Sequence, residues 1–200
     1  VPWAGTWVST VGTDVDGKKL DVNMGVRVGE ITRLMTCDVL YSVAADGTVK
    51  LDDPISNYVA GVPDLENVTL KNLCDGSSGL GTSSTVLAPT WLSNPTRIWE
   101  PLELAAHGLA QARATPGSTY RDSDAGFILL GLALERAGAL PLDELVEREI
   151  AEPLALDVAS ARLWLRRRET FRREVPPTEH VRWRGGTVRG IVHDENAWAL

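Results

Sequence analysis

Two short stretches carry ionisable side chains at spacings that could do chemistry. In "VGEITRLM", Glu30 and Arg33 stand three residues apart, neighbours on a helix surface. In "YRDSDAG", Asp122 and Asp124 flank Ser123 just ahead of a strongly apolar run. Carboxylates whose pKa values are tuned by burial can act as general acid and base. The plainer readings need no function. Glu30 and Arg33 would form a surface ion pair contributing a few tenths of a kcal/mol, and an acid in a first helical turn is favourable by itself. Ser123 or Asp124 would cap the following helix; Asp122 is less explained.

Other candidates are weaker. Ser77 and Ser78 in "DGSSGLG" lack a strand–turn–helix elbow, so a loop is the expectation. His193, Asp194 and Glu195 invite a metal or triad account, and a structural role is expected instead. His107 and His180 have no spaced partner. The basic run Arg162, Arg166, Arg167, Arg168, Arg172 and Arg173 reads as a solvated face, because the chain as a whole carries a net charge of −7. Trp91 and Trp99 would contact an apolar ligand or anchor a loop. Cys37 and Cys74 have no metal-type spacing and read as two buried, reduced thiols. Nothing calls for a metal or a cofactor.

These residues must be positioned by a recognisable order of elements. The stretch 3–12 is β-rich, and Asp16-Gly17 marks a hairpin turn before a return strand. Residues 30–45 switch to helical spacing, with Val28, Ile31, Leu34, Met35 and Val39 on one side and Gly47 as a left-handed stop. Pro54 opens a short helix, and Thr69 caps another. Residues 81–100 read as irregular. Helices follow at 100–114, 124–140 and 141–156, and a short strand is expected around 187–192. Two strands, then helices, then a strand make an α+β chain with segregated helices. The 200 residues suffice for a real core. The negative charge argues against nucleic acid as the main partner. No apolar run is long enough to span a membrane. No secretory signal is visible, which makes the cytoplasm the simplest location.

Three segments, "GTVKLDDPISNYVAGVPDLENVTLKNLCDGSSGL", "PGSTYRDSDAGFILLGLALERAG" and "PPTEHVRWRGGTVRGIVHDENAWAL", resemble the serine β-lactamase-like and penicillin-binding-protein family. Class C β-lactamases, D-Ala-D-Ala carboxypeptidases and related esterases belong to it. The resemblance is collinear over about residues 25–200. It implies a β-lactamase/transpeptidase-like fold, with a hairpin in 1–29, a helical part in 30–156, and a loop and strand in 157–200.

In that family a Ser-x-x-Lys motif opens a helix; the serine attacks an acyl carbon, and the lysine eases removal of its proton. The resemblance puts Glu30 in the serine place, Arg33 in the lysine place and Asp122 in the place of the second motif's tyrosine. Asp124, Trp91 and Trp99 would line the ligand cleft. Arginine keeps its proton at any ordinary pH, so it is no general base. The third motif would follow "HDENA", and the residues given stop at Leu200. The resemblance therefore implies an incomplete antiparallel sheet, covered in a homo-oligomer or by a partner chain. Two function classes stand side by side. One is a catalytically degenerate member that binds a small ligand or a partner. The other is an active hydrolase or acyl-transfer enzyme that uses repurposed carboxylates.

Overall fold

The computed structural model describes residues 9–13, 17–21, 31–94, 97 and 99–154. Among these residues six α-helices follow in order: α1 (Ile31–Ala45), α2 (Leu70–Cys74), α3 (Ser84–Ser93), α4 (Pro101–Leu109), α5 (Asp124–Gly138) and α6 (Leu142–Val146). A 3-10 turn at Ile55–Asn57 precedes α2, and a π-helical turn at Glu147–Ala151 continues α6.

α5 is the hub. Its sequence, "DAGFILLGLALERAG", buries Ala125, Ile128, Leu129, Leu130, Ala133 and Leu134. It packs against α1, α2, α4 and α6. A helix apolar on most of its circumference must be covered on most sides. Gly108 is what lets α4 approach: a Cβ there would stand 2.6 Å from the Cβ of Ala125.

Local signals explain several boundaries. Ser123 accepts from the Gly126 N–H at 2.9 Å and so caps α5. Thr69 and Asn72 form a reciprocal capping box at the start of α2. Gly47 stops α1 at φ +77°, with the Thr48 N–H returning to the Val43 carbonyl at 2.9 Å. Ahead of the 3-10 turn, the Asp53 carboxylate accepts from the Lys50 N–H (2.8 Å) and the Tyr58 hydroxyl (2.7 Å). The Lys50 N–H, then the Tyr58 hydroxyl, hold the Asp53 carboxyl below its ordinary range. Burial, reinforced by Asp53, pushes the Tyr58 phenol up to about 12.

Four expectations are corrected. First, Cys37 and Cys74 are not free thiols; they form a disulfide (Sγ–Sγ 2.10 Å) joining α1 to the end of α2. Sequence spacing could not show this, because the pairing is spatial. Second, α1 buries only part of the predicted stripe: Val39 is buried and Met35 packs half-buried against the core. Ile31 and Leu34 are 51% and 66% exposed, while Thr32, Thr36, Cys37, Val39, Leu40 and Val43 face inward. Val28 lies outside the described residues. Third, residues 81–100 are not wholly irregular, because α3 occupies ten of them. Fourth, α4 ends at Leu109, short of the predicted 114.

The expected sheet is not traced. Among the described residues the only β features are two isolated antiparallel bridges, Thr13↔Lys19 and Pro54↔Thr69. Near the first, Gly17 stands at φ +78°, while Asp16 of the expected turn lies outside the described residues. The strand expected at 187–192 lies outside the described residues. No single helix among the described residues is long and apolar enough to cross a membrane.

Candidate functional site

Arg33 sits in the first turn of α1, and Asp122 lies two residues before α5. The fold brings them together: Arg33 Nη1 donates to Asp122 Oδ1 at 2.6 Å. The guanidinium also lies 5.2 Å from the centroid of the Phe127 ring, close enough for a cation–π contact. The two partners differ in exposure, with the Arg33 side chain 14% exposed and that of Asp122 56%. The site is thus a half-buried cation, backed by an aromatic ring, facing an outward carboxylate. Glu30 lies outside the described residues.

The next two residues turn inward. Ser123 donates its hydroxyl to the Gly81 carbonyl at 2.6 Å while capping α5. Asp124 is fully buried. Its two oxygens accept from the backbone N–H groups of Ser83 (2.5 Å) and Ser84 (2.7 Å). A buried carboxylate needs such donors to offset its desolvation. Asp124, first residue of α5, therefore also caps α3, whose own Ser83 makes no side-chain cap. Ser83 instead donates to the Leu104 carbonyl and accepts from the Gly108 N–H at 2.9 Å. The carboxylate fastens α5 to α3, and the Ser83 hydroxyl ties that junction to α4.

The remaining candidates are placed as follows. Trp91 and Trp99 are both core residues, each 4% exposed. Arg97 stacks 3.7 Å over Trp99, and His107 meets the same ring edge-on at 6.5 Å. Ser77 accepts from Asn72 Nδ2 at 2.9 Å and donates to Asp75. Ser78 is buried, and its hydroxyl accepts from the Leu80 N–H at 3.3 Å. Both serines serve the loop. Tyr120 is 73% exposed and lies over Gly76. Among the described residues no three His, Cys, Asp or Glu side chains are grouped for a metal ion. His180, the Arg-rich run and "VHDEN" lie outside the described residues.

Phe127 was missed by the sequence reasoning. It stands within "GFILLG", which reads as uniform core. Its spacing of five residues from Asp122 carries no helical signal, since Asp122 precedes the helix.

Farther along α1, the Ser42 hydroxyl donates to Glu149 Oε2 and Arg148 Nε donates to Glu149 Oε1, both at 2.6 Å. The Ser42 bond, assisted by Arg148, holds the Glu149 carboxyl below its ordinary range against the opposing effect of burial. This links α1 to the π-helical turn.

A family model described as Beta-lactamase matches residues 4–199. The D-alanyl-D-alanine-carboxypeptidase/endopeptidase AmpH of Escherichia coli (strain K12) is 35% identical over 138 residues, covering 66% of this chain and 35% of that protein. The chain therefore spans about a third of the length of that curated relative. Among solved structures, a D-stereospecific amidohydrolase from Streptomyces sp. is similar with TM-score 0.60 and 30% identity, covering 64% of this chain and 42% of the other. The octameric penicillin-binding protein homologue from Pyrococcus abyssi has TM-score 0.56 and 26% identity, covering 66% and 32%. A penicillin binding protein from Bacillus halodurans shares the fold at TM-score 0.63 and 21% identity, covering 72% and 44%. Fold and matched segments together define a serine β-lactamase/transpeptidase-like protein. The chain belongs to the β-lactamase family.

Proposed function

We propose that this chain is a degenerate member of the family, which binds a small ligand or a partner and does not hydrolyse by the serine route. Glu30, Arg33 and Asp122 stand in the places of the nucleophile, its lysine and the tyrosine. The observation that supports this is the Arg33–Asp122 ion pair. A family lysine and tyrosine pass a proton between them during acyl transfer. A guanidinium keeps its proton at any ordinary pH, so it cannot take the lysine's part in that transfer. Glutamate at the nucleophile position would give an anhydride on acylation, a high-energy intermediate.

The ligand proposed is of the D-amino-acid or D-alanyl type, because the relatives named above are a D-alanyl-D-alanine-carboxypeptidase/endopeptidase and a D-stereospecific amidohydrolase. A penicillin or fluorophosphonate probe on the full chain tests the catalytic half. No covalent adduct is expected, and labelling of any serine would overturn the reading. Titration with a D-alanyl-D-alanine peptide tests the binding half.

A second reading retains activity through carboxylates, and the exposure of Asp122 favours it. It requires turnover of a p-nitrophenyl ester that Asp122→Asn abolishes. Assembly completes the proposal. Ile31, Leu34 and Tyr41 expose apolar surface along α1, and one relative is octameric. A homo-oligomer or partner chain covering that face is expected. Light scattering should then give a mass above the 21.7 kDa of one chain.

A further inference from the structure

We propose that the Cys37–Cys74 disulfide is a permanent clasp, closed as the chain folds in an oxidising compartment. This goes beyond the ligand-binding proposal and does not depend on it. The bridge ties α1, one turn beyond Arg33, to the last residue of α2. Both helices also pack on α5. The Cα atoms stand 5.6 Å apart, so the backbone alone places the two residues at bridging distance.

The two cysteines are unequally buried. Cys37 belongs to the core and is 9% exposed, while Cys74 is half-buried at its edge. Closing the bond removes two protons and two electrons from the paired thiols. The oxidant is of the disulfide class: it forms a mixed disulfide with one cysteine, the second cysteine displaces it, and it leaves as a dithiol. Opening the bond is the harder direction. An external thiolate reaches the sulfur of Cys74 more readily, and attack there expels the Cys37 thiolate into apolar surroundings. Burial disfavours that anion and makes it a poor leaving group. Attack on Cys37 itself requires the core to open first. Such a bridge behaves as a structural link, which persists where thiols are not kept reduced. The cytoplasmic expectation from the sequence gives way to an oxidising one.

The test is thiol counting on the full chain produced in an oxidising compartment. The protein is denatured with iodoacetamide, with and without prior reduction, and weighed by mass spectrometry. Without reduction the expected result is no alkylation and a mass lower by two hydrogens. After reduction in denaturant two alkylations are expected, whereas dithiothreitol under native conditions should leave the bond closed. Two alkylations without reduction would overturn the bridge, and rapid opening of the native protein would overturn its permanence. The Cys37→Ser/Cys74→Ser variant should melt lower by about 10 °C, and an unchanged Tm would also count against the clasp. Should that variant fail to fold, thiol counting on the unaltered chain still decides.

Discussion

Arg33 and Asp122 meet at 2.6 Å across 89 residues of sequence, fastening the first turn of α1 to the entry of α5. The pair is charge-assisted, yet its acidic member is 56% exposed, so solvent screens much of the attraction. Arg33 makes further interactions, and only a double-mutant cycle isolates the pair. With Arg33→Met and Asp122→Asn, a coupling of about 0.5–1.5 kcal/mol is expected from urea unfolding. Coupling indistinguishable from zero would refute a formed ion pair.

Asp124 should matter more than Asp122 for stability. Its buried oxygens satisfy the backbone N–H groups of Ser83 and Ser84. Asp124→Ala removes the acceptor of both donors, that of Ser83 buried and that of Ser84 half-buried, and should cost about 2–4 kcal/mol. Asp124→Asn keeps one acceptor and should cost less. Equal urea midpoints for Asp124→Ala and the unaltered protein would contradict the capping role.

Gly79 and Gly117 offer a matched comparison. Both sit at positive φ, +75° and +78°. A Cβ at Gly79 would lie 2.1 Å from the carbonyl oxygen of Ala114, whereas one at Gly117 meets nothing within 4 Å. Gly117→Ala should cost about 1 kcal/mol from backbone strain alone. Gly79→Ala adds a steric clash with backbone and should cost more than about 3 kcal/mol. The difference is readable as a shift in Tm.

Acid should weaken the link between α1 and the π-helical turn. The folded-state pKa of Glu149 is depressed below its ordinary 4.5, chiefly by the Ser42 hydroxyl. The unfolded chain therefore binds the proton first. The contribution is present above about pH 4.5 and is lost as pH falls through the folded value. Asp53, depressed from 3.8, acts in the same direction slightly lower. Urea midpoints should fall between pH 6 and pH 3, and Glu149→Gln should show a smaller fall from a lower starting point.

Tyr58 gives the opposite limb. Its folded pKa is about 12 against an ordinary 10.0, so the neutral phenol is favoured in the native state. Stability from this group is complete below pH 10 and declines as pH rises from 10 towards 12. Tyr58→Phe should flatten that decline, and stability that is unaltered across the alkaline range would count against the Asp53–Tyr58 bond.

What could be read from the sequence was what depends on neighbours along the chain. Thr69 and Asn72, Ser123 and Gly126, and Gly47 after α1 are contacts within a few residues, and their residue types announce them. α3 escaped because its cap comes from Asp124, forty residues away, and because Pro89 interrupts its pattern. The inward face of α1 escaped because two threonines and a cysteine are buried there while Ile31 and Leu34 are not. Arg33 and Asp122 could be paired beforehand only through the family resemblance; spacing alone relates neither to the other, and it left Phe127 unnoticed. The disulfide had no local signature at all.

The cap that Asp124 supplies to α3 has a consequence for the order in which the chain is built. During synthesis the residues of α3 emerge well before residue 124. At that stage its first N–H groups have neither a side-chain cap from Ser83 nor the carboxylate of α5. An isolated ten-residue helix containing proline is too short to hold by itself. α3 is therefore a late element: it forms when α5 docks, and a nascent chain truncated before residue 124 should leave this segment accessible to protease.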